Sequence, residues 1–160
     1  MDYETFLSTK KLHVGSVGKP IDSADLHPAL FGFQRDIVAW AVRKGRAAIF
    51  ADVGLGKTAM QLEWARLLNA VTLIVAPLAV SQQTVAIARD LLGMEVRYIR
   101  SKEERTSDCK VYITNYEMVE NVYGDDIEAV ILDESSILKN FSGVTKKALV
   151  RMFKNTPYKL

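Results

Sequence analysis

The chain has 160 residues and a mass of 17.9 kDa, enough for one domain with a short appendage. With 49% apolar and 25% charged residues, it has the composition of a folded globular protein rather than a disordered one. A chain of this size buries about 70% of its unfolded surface, and a single cysteine, Cys109, excludes an internal disulfide framework and fits a reducing compartment.

Net charge is +2, from 21 Lys and Arg against 19 Asp and Glu. Six of those cations (Lys139, Lys146, Lys147, Arg151, Lys154 and Lys159) follow Glu134, where there is no acid. The first 134 residues therefore carry 15 cations against all 19 acids, net −4. The basic segment is either a solvated helix face or a surface that meets phosphates. Met1 to Glu4 is acidic, with no apolar run behind it, so it is not a signal peptide. The most apolar stretch, Ala70–Val80, is too short to span a bilayer and contains Pro77. No membrane association and a cytoplasmic location are expected.

Residues 1–29 read as an appendage: a short helix is possible around Asp2–Ser8, and Gly15, Gly18, Pro20 and Pro28 favour irregular structure after it. The regular lobe is expected over 30–160. Phe33, Ile37, Trp40 and Ala41 share one helical face, closed by Gly45. Ala47–Phe50 is a buried-strand candidate. Met60, Trp64, Leu67 and Leu68 mark a second helix, and Val71–Ala76 a β-branched strand. Val80, Thr84, Ile87 and Leu91 mark a third helix, ended by Gly93. Val96–Ile99, Val111–Thr114 and Ala129–Leu132 read as strands. Asn115 is placed to cap a short helix through Val122, and a last helix is expected near Val144–Phe153. Short apolar strands alternating with amphipathic helices predict an α/β fold with a mainly parallel sheet covered on both faces, and ligands then bind at the carboxyl ends of the strands.

The turn after Phe50 reads Ala51-Asp52-Val53-Gly54-Leu55-Gly56-Lys57-Thr58 and opens into a helix. Gly54 and Gly56 permit a tight turn with inward-pointing amides, and the helix N-terminus adds positive potential. In such a phosphate loop Lys57 reaches the β/γ-phosphates and the Thr58 hydroxyl binds Mg²⁺. Ala129–Leu132 then delivers Asp133 and Glu134 at a strand's carboxyl end. Asp133 is expected to hold Mg²⁺ through its hydration shell, and Glu134 to orient and deprotonate an attacking water. Together the two motifs point to Mg²⁺-NTP binding and hydrolysis.

The motif order resembles the first RecA-like motor lobe of superfamily II helicases, most closely the Swi/Snf-like DNA translocases. Ala51–Thr58 resembles the Ala-opened loop of those motors. Phe33-Gln34, with Trp40 six residues on, resembles their adenine-recognition segment. Val75-Ala76-Pro77-Leu78 resembles the motif lying along the nucleic acid, and Ile113-Thr114-Asn115-Tyr116-Glu117 the Thr-Ser-Tyr-Glu segment. Asp133-Glu134-Ser135-Ser136, then Lys139-Asn140, resembles the Asp-Glu-Ala-His box, with Ser136 where that box has His. The resemblance implies a P-loop NTPase in a three-layer sandwich, with ATP and Mg²⁺ as cofactors. It implies nucleotide contacts from Gln34, Gly54, Leu55, Gly56, Lys57, Thr58 and Ala59, metal contacts from Thr58 and Asp133, and catalysis by Lys57, Asp133 and Glu134. It further implies nucleic acid, above all double-stranded DNA, as partner. The family's third motif and second lobe have no counterpart in these 160 residues, so an incomplete motor is expected, its second lobe supplied elsewhere. A small P-loop kinase and a non-catalytic module binding nucleotide, DNA or a protein partner are the competing readings. For the kinase, the cluster Arg97, Arg100 and Arg105 would have to form a lid, but Lys102, Glu103, Glu104 and Asp108 surround it like a solvated loop.

Overall fold

The computed structural model describes residues 15–136 and 143–160. The expected helix at Asp2–Ser8 and the Lys139-Asn140 pair lie outside them. In chain order the elements are α1 (Gly32–Lys44), α2 (Lys57–Leu68), β1 (Thr72–Val75), α3 (Leu78–Leu92), β2 (Arg97–Tyr98), β3 (Val111–Thr114), α4 (Val119–Val122), β4 (Ala129–Leu132), α5 (Gly143–Met152) and β5 (Tyr158–Lys159). The strands form one sheet in the order β2-β3-β1-β4-β5, and every pairing is parallel. Among the described residues no helix is long and apolar enough to cross a membrane.

The central strands are apolar along their whole length because helices cover both faces. Ile74, Ile113 and Ile131 point into one core with Val38, Met60, Trp64 and Ala88 from α1, α2 and α3. Leu73, Val75, Tyr112 and Val130 point into the other, with Val119, Val122, Leu149 and Phe153 from the α4 and α5 side. Alternation at period 2 along β1 thus divides the two cores, and the result is a three-layer α/β/α sandwich. Residues 15–30 lie against the first layer. The Val17 and Lys19 amides donate to the carbonyls of Lys44 and Val42, and Leu26 and Leu30 enter the core. Glu63, fully buried on α2, accepts from the His27 amide at 2.7 Å and from Arg66 Nε at 2.6 Å.

Several local expectations shift. Ala47–Phe50 does not form a regular strand. Arg46 bridges Lys159 in parallel and the Ala47 amide donates to the Lys159 carbonyl, but the neighbouring ladder runs only over Tyr158–Lys159. Phe50 is left 94% exposed. On α1 the buried residues are Gln34, Val38, Ala39, Ala41 and Val42, whereas Phe33 and Trp40 are exposed. Small and β-branched residues face α2, and the larger aromatics stay outside. On α3 the buried positions are Ser81, Thr84, Ala88 and Leu92, so the buried stripe is turned by about one residue from that expected. β2 is confined to Arg97–Tyr98.

Candidate nucleotide site

The loop Ala51–Gly56 turns back on itself through two left-handed glycines, Gly54 at φ +83° and Gly56 at φ +74°. At those angles a side chain costs about 1–2 kcal/mol. A Cβ on Gly56 would also press on the Gln34 amide, which would have to shift from its place behind the loop. Beyond Gly56 the chain enters α2, whose first helical bond runs from the Met60 amide to the Gly56 carbonyl at 3.2 Å. The amides of Lys57, Thr58 and Ala59 precede that bond and have no intrahelical acceptor. They cluster at the positive end of the helix, which makes an anion site. Lys57 Nζ lies over the same turn, donating to the Ala51 carbonyl at 2.8 Å and the Asp52 carbonyl at 3.1 Å. Its charge is thereby held at the mouth of the loop.

Gln34 supports this loop from behind. Its side chain is buried, accepts from the Phe31 amide at 3.0 Å and donates to the Leu55 carbonyl at 3.0 Å. Phe31 and Phe33 stack in parallel beside it, with centroids 6.3 Å apart, and Phe31 is 69% exposed.

Asp133 leaves β4 with its amide bonded to the Val75 carbonyl at 2.9 Å. Its own carbonyl accepts from the Tyr116 hydroxyl at 2.7 Å. The buried carboxylate accepts, on Oδ1, from Gln61 Nε2 at 2.8 Å and from the Glu134 amide at 3.0 Å. Burial pushes the Tyr116 phenol up, and the Asp133 and Glu134 carboxylates add to the shift, so Tyr116 remains a donor. Glu134 adopts φ +51°, an uncommon conformation for a residue with a Cβ. Its exposed side chain accepts from Ser136 Oγ at 3.2 Å.

The expected residues thus fall into two groups at the carboxyl end of the sheet. Gln34 and Gly54–Ala59 form one, Asp133 and Glu134 the other, and the Gln61–Asp133 bond connects them. The donor set fits a magnesium ion: hard oxygens on Thr58 and Asp133, with Asp133 Oδ2 free of protein partners among the described residues. Gln61 and the positioning role of Tyr116 were not anticipated. The signal for Gln61 was its spacing, three residues after Thr58 on one helix, which sets both on one face. Of the basic segment, Lys146, Lys147, Arg151 and Lys154 line one groove with Val150. Lys159 instead donates to the Lys154 carbonyl at 3.0 Å.

Three solved structures share this architecture. The UvsW helicase from bacteriophage T4 superimposes with a TM-score of 0.68 at 19% identity, over 99% of this chain and 57% of that one. A Sulfolobus solfataricus SWI2/SNF2 ATPase core in complex with dsDNA gives 0.70 at 16% identity, over 88% and 33%. A hypothetical ATP-dependent RNA helicase from Sulfolobus tokodaii gives 0.59 at 16% identity, over 98% and 47%. The likeness is one of fold, the three-layer α/β/α sandwich with a parallel sheet. The chain spans a third to rather more than half the length of these proteins. No family model matches the sequence, and no curated protein does.

Proposed function

We propose that this motor lobe binds Mg²⁺-ATP and belongs to a DNA-dependent ATPase of the helicase or double-stranded DNA translocase type. The observation that carries the reading is the meeting of the Lys57 loop and the Asp133-Glu134 pair at one end of a parallel sheet, joined through Gln61. Amides from Gly54 to Ala59 bind the phosphate chain. Lys57 leaves the Ala51 and Asp52 carbonyls to neutralise the β/γ-phosphates. Thr58 and Asp133 hold magnesium, the latter through water, and the ion when bound draws charge off the phosphates. Glu134 orients the attacking water and accepts its proton on the carboxylate. The base lies near Gln34, where the exposed face of Phe31 offers a stacking surface.

The cations Lys146, Lys147, Arg151 and Lys154 around the open groove at α5 support a nucleic-acid partner, and the dsDNA complex of the SWI2/SNF2 neighbour favours duplex DNA. The kinase reading loses its lid: Arg97 is paired with Glu95 and Asp108, Arg105 with Asp126, and Arg100 lies over the Tyr98 ring. In the family the resemblance points to, a second lobe supplies the arginine finger, worth about 10³–10⁵ in turnover. The 160-residue chain alone should therefore bind ATP and hydrolyse it very slowly.

The test is phosphate release by the purified chain with and without double-stranded DNA, together with an assay for phosphoryl transfer to nucleotides. Tight binding, slow release and no transfer are expected. Transfer to a nucleotide acceptor would establish a kinase, and strong DNA-stimulated hydrolysis by the monomer would contradict the need for a second lobe. Binding with no hydrolysis, even beside a supplied second lobe, would establish the non-catalytic module.

A further inference from the structure

We infer that Gln61 is a positioning residue for the magnesium site, fixing which oxygen of Asp133 faces the metal. The inference rests on the nucleotide-binding reading above and adds a residue to it. Gln61 sits on α2, four residues after Lys57 and three after Thr58, so the helix that starts at the phosphate loop also presents this amide. Its Nε2 donates to Asp133 Oδ1 at 2.8 Å across 72 residues of sequence.

The same oxygen takes the Glu134 amide at 3.0 Å. Two donors on Oδ1 fix the carboxylate torsion and leave Oδ2 as the oxygen without a protein partner among the described residues. The Tyr116 hydroxyl holds the Asp133 carbonyl, so backbone and side chain are anchored independently. Gln61 is 9% exposed and Asp133 8%. It stands beside Met60 and Leu62, both fully buried. An apolar side chain would suit that environment without the cost of desolvating an amide. The amide instead donates its hydrogen bond to Asp133, the first residue after β4. Groups that orient a ligand from behind in this way commonly change metal affinity by about 10–100-fold when removed.

The experiment uses the intact chain and a fluorescent ATP analogue, titrated with Mg²⁺ and repeated in EDTA, on the parent, Gln61→Leu and Gln61→Glu. Gln61→Leu keeps the volume and removes the donor. It should raise the Mg²⁺ concentration for half-maximal binding about 10-fold or more, while metal-free nucleotide binding stays within about 2-fold. Gln61→Glu keeps the size, removes the donor and sets a second carboxylate against Asp133. It should move the Mg²⁺ requirement away from the parent's by a similar factor, and it serves as the test should the leucine variant fail to fold. An unchanged Mg²⁺ dependence in a folded variant overturns the inference. So does an equal loss with and without Mg²⁺, because Gln61 would then act through the loop or the fold. No Mg²⁺-dependent binding by the parent overturns the nucleotide reading itself.

Discussion

The Gln34 side chain donates to the Leu55 carbonyl at 3.0 Å across 21 residues of sequence. That bond ties the start of α1 to the turn at Gly54–Gly56, and it explains why a polar side chain occupies the buried face of α1. Whatever Gln34 does for a base, it already braces the turn proposed to receive the phosphates.

Gln34→Ala should remove the bonds to the Leu55 carbonyl and the Phe31 amide, which are only partly buried, a loss of about 0.5–1.5 kcal/mol for each. For a chain of this length the melting temperature should drop by about 2–4 °C per kcal/mol. Affinity for ATP and for GTP should fall together, because the loop is loosened whatever the base. Thermal melts and titrations with both nucleotides check this. A change in base preference with an unchanged melt would mean that Gln34 only reads the base.

Tyr116→Phe removes one hydroxyl and leaves the Asp133 carbonyl short of a donor. The expected cost is again about 1–3 kcal/mol, read as a lower midpoint in urea. The Asp133 amide keeps its bond to Val75, so β4 itself should persist. A midpoint equal to the parent's would show that water replaces the phenol at no cost.

Glu134→Gln should leave ATP binding unchanged and abolish the residual hydrolysis, since positioning and deprotonating water matter only for the chemical step. Single-turnover phosphate release checks it, ideally with a second lobe supplied. Hydrolysis at the parent rate would remove Glu134 from the mechanism.

The groove on α5 should bind duplex DNA weakly and without sequence preference. With about two to four phosphate contacts, log K against log salt should slope by roughly −2 to −4. Replacing Lys147, Arg151 and Lys154 with Gln should flatten that slope and leave ATP binding alone. An unchanged slope would make this a solvated face.

Much of this architecture was legible in the sequence because its signals are local. The Gly-Lys-Thr turn, the Asp-Glu pair after an apolar strand, and strands such as Thr72–Val75 and Ala129–Leu132 each depend on a few adjacent residues. What misled was helix orientation. Periodicity finds a stripe of Phe33, Ile37 and Trp40 but cannot tell that Gln34, with a bond waiting at Leu55, turns inward and displaces the aromatics outward. The Ala47–Phe50 segment has strand composition, yet a strand needs a partner, and β5 reaches only its first residue. Gln61 and Glu63 lie outside the apolar stripe of Met60, Trp64, Leu67 and Leu68. Each is buried because its partner, Asp133 or the His27 and Arg66 pair, comes from elsewhere in the fold or from the next turn.

The central claim is that the loop from Gly54 to Thr58 binds the phosphates of a nucleotide. Its most direct test is a titration of a fluorescent ATP analogue in Mg²⁺ against the parent and Lys57→Ala. Lys57 lies at the mouth of the loop, bonded among the described residues to the loop carbonyls of Ala51 and Asp52, so its loss should spare the fold while removing the charge proposed to meet the β/γ-phosphates. The account predicts saturable binding by the parent and none measurable by a variant that melts at the parent's temperature. Equal affinity in the two proteins would contradict it.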